Sequence, residues 1–267
     1  MTGNLGVAQA AARKFGIARS LAMYYAAPFR GRRMARLYRE FVAPGSLCFD
    51  IGAHVGSRVR CFRRLGARVV AVEPQADLAR LLELAHGRDR GVVILTVAVG
   101  RAPGRALLLV SATAPTVTTL SRQWIRDVRA DASFAGIAWT EAGEVDVVTL
   151  DALIAAHGVP SFAKIDVEGF EAEALSGLST ALPALSFEYL PAARHVALEC
   201  VARLERLGEY RFNWSPGESH VLRAVDWIDG PGIRRFLEGL MPGSGSGDIY
   251  ARLVRRRGPN GRCAPRG

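Results

Sequence analysis

Three short stretches hold most of the residues able to do chemistry. Phe49-Asp50-Ile51-Gly52-Ala53-His54-Val55-Gly56 sets a carboxylate two places ahead of a glycine turn. Val69-Val70-Ala71-Val72-Glu73-Pro74 ends an apolar run in a second carboxylate. Ala163-Lys164-Ile165-Asp166-Val167-Glu168-Gly169-Phe170-Glu171 ends another in two carboxylates and a glycine. The first two stretches have the order of a nucleoside pocket at the carboxyl edge of a parallel sheet. Gly52 and Gly56 let backbone approach a ligand closely. Glu73 is placed to accept hydrogen bonds from both ribose hydroxyls.

The turn also selects among nucleosides. A dinucleotide needs G-x-G-x-x-G, because its pyrophosphate lies on a helix N-terminus. Here the turn is Gly-Ala-His-Val-Gly, and Asp50 before it would repel phosphate but suits an ammonium group. S-adenosylmethionine carries an ammonium, a sulfonium, a ribose and no phosphate, so the methyl donor is the expected cofactor. Asp166 and Glu168 at the mouth of such a cleft could deprotonate a substrate hydroxyl or bind a divalent metal. The plainer alternative has Asp166 capping the next helix and Glu168 solvated. His54 could donate to the cofactor carboxylate, act as a base near neutral pH, or only pack. His220 lies in a late loop within reach of the pocket, and Glu188 either faces the cleft or closes a strand ladder. Lys164, one of only two lysines, suggests an ion pair with Asp166 or Asp50.

Positioning these groups requires alternating strands and helices. Strands are predicted at Leu47–Ile51, Val69–Val72, Val92–Val97, Phe162–Asp166 and Leu185–Tyr189. Helices are predicted with Val55, Val59, Phe62 and Leu65 on one stripe up to Gly66, with Leu78, Leu81, Leu82 and Ala85, and over Glu171–Leu178 and Ala192–Leu207. Thr149-Leu150-Asp151 opens a further short helix. Tyr210–Trp214 and Ile249–Leu253 pair as an antiparallel hairpin at one edge. Residues 100–148 break the rhythm, with strands at Leu107–Val110 and Val145–Val148; an insertion of that length shapes or covers a substrate site. Ahead of the sheet, an alanine-rich helix spans 8–25, and Met34, Leu37, Tyr38, Phe41 and Val42 fall at helical spacing. This pair packs on the sheet or covers the pocket. The expected division is a helical appendage over 1–45, a catalytic domain over 46–254, and a disordered basic tail over 255–267.

Composition narrows the partners. The net charge of +10 is concentrated at the ends, +7 in residues 1–49 and +6 in 252–267, which leaves −3 for 50–251. That argues against a phosphate-tracking groove and hence against nucleic acid, and leaves weak peripheral membrane contact through the basic ends open. No apolar run approaches the ~20 residues of a membrane span. Cys48, Cys61, Cys200 and Cys263 lack C-x-x-C spacing, so a reducing cytoplasm is the expected location.

Together with Thr149-Leu150-Asp151 and Gly247-Asp248-Ile249, the three chemistry-bearing stretches resemble the FkbM-type methyltransferase family, in its order and spacing, across residues 47–253. The resemblance implies an α/β, Rossmann-like class I methyltransferase: a mostly parallel seven-stranded sheet, an antiparallel edge hairpin, and helices on both faces. It implies S-adenosylmethionine as cofactor, and hydroxyls of polyketides or sugars as acceptors. By position, Asp50, Gly52, Ala53, His54 and Gly56 would line the methionine side, Glu73 with Pro74 the ribose, and the turn near Ala98 the adenine. Thr118-Thr119-Leu120 stands where the family often has a serine pair and leucine, and His54 stands where it usually has asparagine.

The expected activity is therefore methyl transfer to a hydroxyl of a small-molecule or glycan acceptor. Asp166, Glu168 and His54 are the candidate catalytic residues, and no resident metal is assigned. Two alternatives remain: metal assistance through Asp166, Glu168 and Glu188, and an inactive nucleoside-fold binding module. A nicotinamide oxidoreductase is a distant third.

Overall fold

A computed structural model describes residues 7–25 and 30–256. Two helices, α1 (Val7–Tyr25) and α2 (Arg30–Tyr38), precede the first strand. The alternating part follows as β1 (Leu47–Ile51), α3 (Ser57–Arg64), β2 (Arg68–Val72), α4 (Ala76–His86) and β3 (Val92–Leu95). Next come β4 (Ala98–Val99), β5 (Gly104–Val110), α5 (Arg122–Val128) and β6 (Thr140–Val148). The chain then runs through α6 (Leu150–His157), β7 (Phe162–Ile165), α7 (Glu171–Ser176), β8 (Ala184–Tyr189) and α8 (Arg194–Leu207). It closes with β9 (Gly208–Pro216), α9 (Gly230–Glu238) and β10 (Gly247–Arg256).

Seven strands form one sheet in the order β3-β2-β1-β7-β8-β10-β9. Neighbours from β3 to β8 are parallel, and β10 inserts antiparallel between β8 and β9. The expected antiparallel pairing at the edge is present. β1 and β7 are adjacent although the chain leaves β1 in one direction and continues from β7 in the other. This is the switch point of a doubly wound sheet, where the loops diverge and a crevice opens at the carboxyl ends.

The central strands alternate between two apolar layers, as a period of two requires. Leu47, Phe49 and Ile51 of β1 join the larger cluster, with Leu175, Phe187 and Val201. Cys48 joins a second cluster with Tyr38, Phe62, Phe162 and Tyr250. Tyr38 of α2 packs edge-on to Phe62 at 4.8 Å and Phe162 at 5.3 Å between ring centroids, a favoured aromatic geometry. Thus α2 covers one sheet face. Asp50 and Lys164 project toward that face from paired positions on β1 and β7, and both are fully buried.

Residues 100–148 add more order than the sequence indicates. β4, β6 and β5 make a separate three-stranded sheet, with β5 antiparallel and β4 parallel to β6. Some expected boundaries shift. β3 stops at Leu95 rather than Val97, β7 stops one residue before Asp166, and the helix expected from Val55 starts at Ser57. β10 continues to Arg256, past the start of the expected tail, whose remainder lies outside the described residues. Cys48, Cys61 and Cys200 are free and buried.

Candidate active site

The crevice beyond β1, β2 and β7 is a cleft open to solvent, with about 780 Å³ of non-protein space. Its floor is the turn after β1. Gly52 has φ +84°, and a Cβ there would collide with the Asp166 carbonyl oxygen, so only glycine lets the β1 and β7 loops touch. His54 follows at φ 50°, in the left-handed region that Asn, Asp and His enter more readily than other side chains. That conformation accounts for the type of residue found there.

The amides of this turn are already committed. Gly52 and Ala53 donate to the Val72 carbonyl at 2.8 and 3.0 Å. His54 donates its backbone N–H to Glu73 Oε2 at 2.8 Å. A pyrophosphate nest needs such amides free, and here they join the β1 and β2 loops instead. The other Glu73 oxygen accepts from the Gln75 backbone N–H at 2.9 Å and the Gln75 side-chain amide at 3.1 Å. Three donors leave about one of the four acceptor sites of this carboxylate free, and Glu73 lines the cleft. Burial pushes Glu73 up to about 7, against the pull of Gln75 and His54.

The loop after β7 brings the other carboxylates together. Val167 donates its N–H to buried Glu171 at 3.0 Å, and Thr119 donates its hydroxyl to the Glu168 carbonyl at 2.6 Å. Glu168 and Gly169 are both left-handed, at φ 51° and 84°, and the Trp124 ring lies against Gly169 where a Cβ would stand. Asp166, Glu168 and Glu188 each place an oxygen within 4.8 Å of the others. This is the donor set that could hold a divalent cation.

Their electrostatics differ. Burial raises Asp166, but Lys164 at 3.1 Å and Arg58 at 3.6 Å outweigh it and hold the group below the usual carboxylate range. Burial raises Glu168 too, and Glu188 and Asp166 add to it, so Glu168 stands well above that range. Burial pushes His54 down to about 4, which leaves it neutral and weakly basic at pH 7.

Eight of the residues singled out from the sequence line the cleft: Gly52, Ala53, His54, Glu73, Pro74, Ala98, Asp166 and Glu168. Thr118, Thr119 and Leu120 line it as well. Asp50 and Gly56 do not. Asp50 is fully buried on the α2 face, where burial pushes it up to about 6 against Arg58 and Lys164. Gly56 turns the chain into α3 at φ +80°, where a Cβ would stand 2.7 Å from a Leu82 methyl. Lys164 pairs with Asp166, as one of its expected partners, and also with Asp248 at 2.9 Å. His220 is buried beside Glu218 at 3.2 Å, and it does not line the cleft. Gln75, Arg58 and Glu171 were missed. Gln75 directly follows the Glu73-Pro74 pair, and Glu171 closes the third motif, so proximity to the motifs was their signal; Arg58 had none.

Residues 50–199 match the methyltransferase FkbM domain, more than half of the chain. The chain belongs to the FkbM methyltransferase family. It is a methyltransferase whose methyl donor is S-adenosylmethionine. None of the curated proteins matches it. Among solved structures, it is similar to a precorrin-6y C5,15-methyltransferase from Geobacter metallireducens, with 10% identity, 83% of this chain and 87% of the other covered, and a TM-score of 0.45. It is also similar to an O-methyltransferase from Bacillus cereus in complex with SAH, with 12% identity, coverage of 95% and 93%, and a TM-score of 0.44.

The FkbM domain's cleft suits a phosphate-free donor. Among the described residues, Arg58 is the single arginine or lysine in its lining, and it is held by Asp166 and Glu218 at 3.6 and 3.5 Å. With that guanidinium already engaged by two carboxylates, the lining offers little to a phosphate.

Proposed function

We propose that this FkbM methyltransferase methylates a hydroxyl group on a small-molecule or glycan acceptor, with Glu168 as the general base. One observation carries the reading: Glu168 lines both the donor cleft and a second cavity. That cavity has about 1100 Å³ of non-protein space, with Thr116, Phe134, Ile137, Glu188 and Leu190 in its walls. Thr116 and Glu168 are the residues shared between the two linings. An acceptor in the second cavity would present its hydroxyl to Glu168 at the junction.

When bound, the cofactor supplies a methyl group already activated on a sulfonium sulfur. The tasks of the chain are then alignment, exclusion of water and removal of one proton. Glu73 would accept from a ribose hydroxyl, and Ala98 with Val97 would border the adenine end. Asp166, held ionised by Lys164 and Arg58, offers a fixed negative charge to the ammonium. Glu168 takes the hydroxyl proton; its raised affinity for protons matches a general base better than Asp166 or His54. Alignment accounts for the larger share of the rate, since good positioning removes ~7–11 kcal/mol and a base adds about 10²–10⁴-fold.

The deciding experiment is transfer of labelled methyl from S-adenosylmethionine to polyketide and sugar alcohols, compared with matched amines. Label on nitrogen alone defeats the hydroxyl reading, and donor binding with no transfer to any acceptor favours a binding module. The convergence of Asp166, Glu168 and Glu188 favours a second reading, in which a divalent cation on these carboxylates acidifies the hydroxyl. For location, the finding is that no helix among the described residues is long and apolar enough to cross a membrane. A cytoplasmic site of action is part of this proposal, resting on the free thiols of Cys48, Cys61 and Cys200.

A further inference from the structure

Helix α1 lies outside the residues that match the family, yet it reaches the donor cleft through one side chain. Arg13 grips both oxygens of Asp77, at 2.7 and 2.9 Å. It also donates to the Gln75 side-chain carbonyl at 2.6 Å and the Ser111 carbonyl at 3.2 Å. Gly16, one turn further along, lies against Pro115 so closely that a Cβ would stand 2.8 Å from the proline ring. The helix is thus seated on the segment that carries Thr116 and Thr118 into the cleft wall.

A guanidinium has only donors. Arg13 and the Thr118 hydroxyl, the latter at 2.8 Å, therefore take the carbonyl end of Gln75. The amide end is left to donate to Glu73 at 3.1 Å and to the Pro115 carbonyl at 3.3 Å. We propose that Arg13 is a positioning residue of the donor site, acting through Gln75 to hold Glu73 in the orientation that receives the ribose, so that α1 is a working part of the enzyme. This deepens the donor assignment and rests on it.

The test is calorimetric binding of S-adenosylhomocysteine to the full chain and its variants. Arg13→Met weakens binding about tenfold, the scale of one lost charge-assisted hydrogen bond, and Arg13→Lys recovers part of it. In a Gln75→Ala background, Arg13→Met produces no further loss beyond about twofold, because the two residues act in series. Wild-type affinity in Arg13→Met, or the same tenfold loss with and without Gln75, overturns the proposal; the second result would make Arg13 only an anchor for the helix. Should Arg13→Met fail to fold, Asp77→Asn loosens the same guanidinium from outside the cleft. It weakens binding about threefold if the proposal holds, and leaves it unchanged if not. A wild-type chain that binds no S-adenosylhomocysteine defeats the donor assignment itself, a different outcome from unchanged binding in the variant.

Discussion

Lys164 sits 3.1 Å from Asp166 with its ammonium fully buried, and this pair separates two carboxylates that the sequence leaves equivalent. Asp166 is ionised and engaged, whereas Glu168, two residues on, is raised by burial and by Glu188. Glu168→Gln is expected to lower turnover by about 10²–10⁴-fold with unchanged affinity for S-adenosylhomocysteine. Asp166→Asn leaves Lys164 with Asp248 alone and Arg58 with Glu218 alone, and costs about 2 kcal/mol of stability. Steady-state kinetics and urea unfolding of the two variants distinguish the roles. Equal kinetic losses with equal stability would refute the division.

Glu73 makes donor binding depend on pH. Its carboxyl is pushed up to about 7 by burial, so it is largely protonated at pH 6 and ionised at pH 8. Ribose hydroxyls donate better to the ionised form. Affinity for S-adenosylhomocysteine therefore rises as pH passes upward through about 7, and Glu73→Ala removes both the tight binding and the pH step. Titration calorimetry at pH 6, 7 and 8 measures both effects. A flat profile in the wild type contradicts the ribose assignment.

The parts of this site legible in the sequence are those set by local backbone chemistry. Gly52, Glu73 and Gly169 follow apolar runs that can only be buried strands, so their place at the sheet's carboxyl edge was readable. Asp50 shows where that reading falls short: it alternates with Phe49 and Ile51 along β1, and its side chain points into the α2 face instead of the cleft. Strand parity was available in the sequence and would have placed it correctly. Arg13, Arg58 and the joining of β4, β5 and β6 into a second sheet were not legible, although the strands at Leu107–Val110 and Val145–Val148 were. Their positions depend on which distant segments meet, and Arg13 reaches its partners across 62 and 64 residues of chain.

The two glycines of the first motif carry different burdens. A Cβ at Gly52 meets the Asp166 backbone carbonyl, which cannot move without displacing β7. At Gly56 it meets a Leu82 methyl and the His86 ring, both ends of side chains that can rotate. Both positions share the cost of a positive φ, about 1–3 kcal/mol. Gly52→Ala therefore destabilises well beyond Gly56→Ala, and it abolishes donor binding where Gly56→Ala only weakens it. Thermal melts with and without S-adenosylhomocysteine compare them directly.

Chelation separates the two readings of the acidic cluster. If Glu168 is the base, activity survives exhaustive treatment with EDTA, because no step needs a cation. If Asp166, Glu168 and Glu188 hold a metal, activity disappears and returns with added Mg²⁺ or Mn²⁺. The expected result is survival, since Asp166 already has Lys164 and Arg58 as counter-charges and a third cation beside them meets their repulsion. Glu188→Gln adds an independent check. It removes a like charge that raises the affinity of Glu168 for protons, so the pH at which turnover reaches half its maximum shifts downward. Under metal ligation the same substitution would instead raise the cation concentration needed for activity.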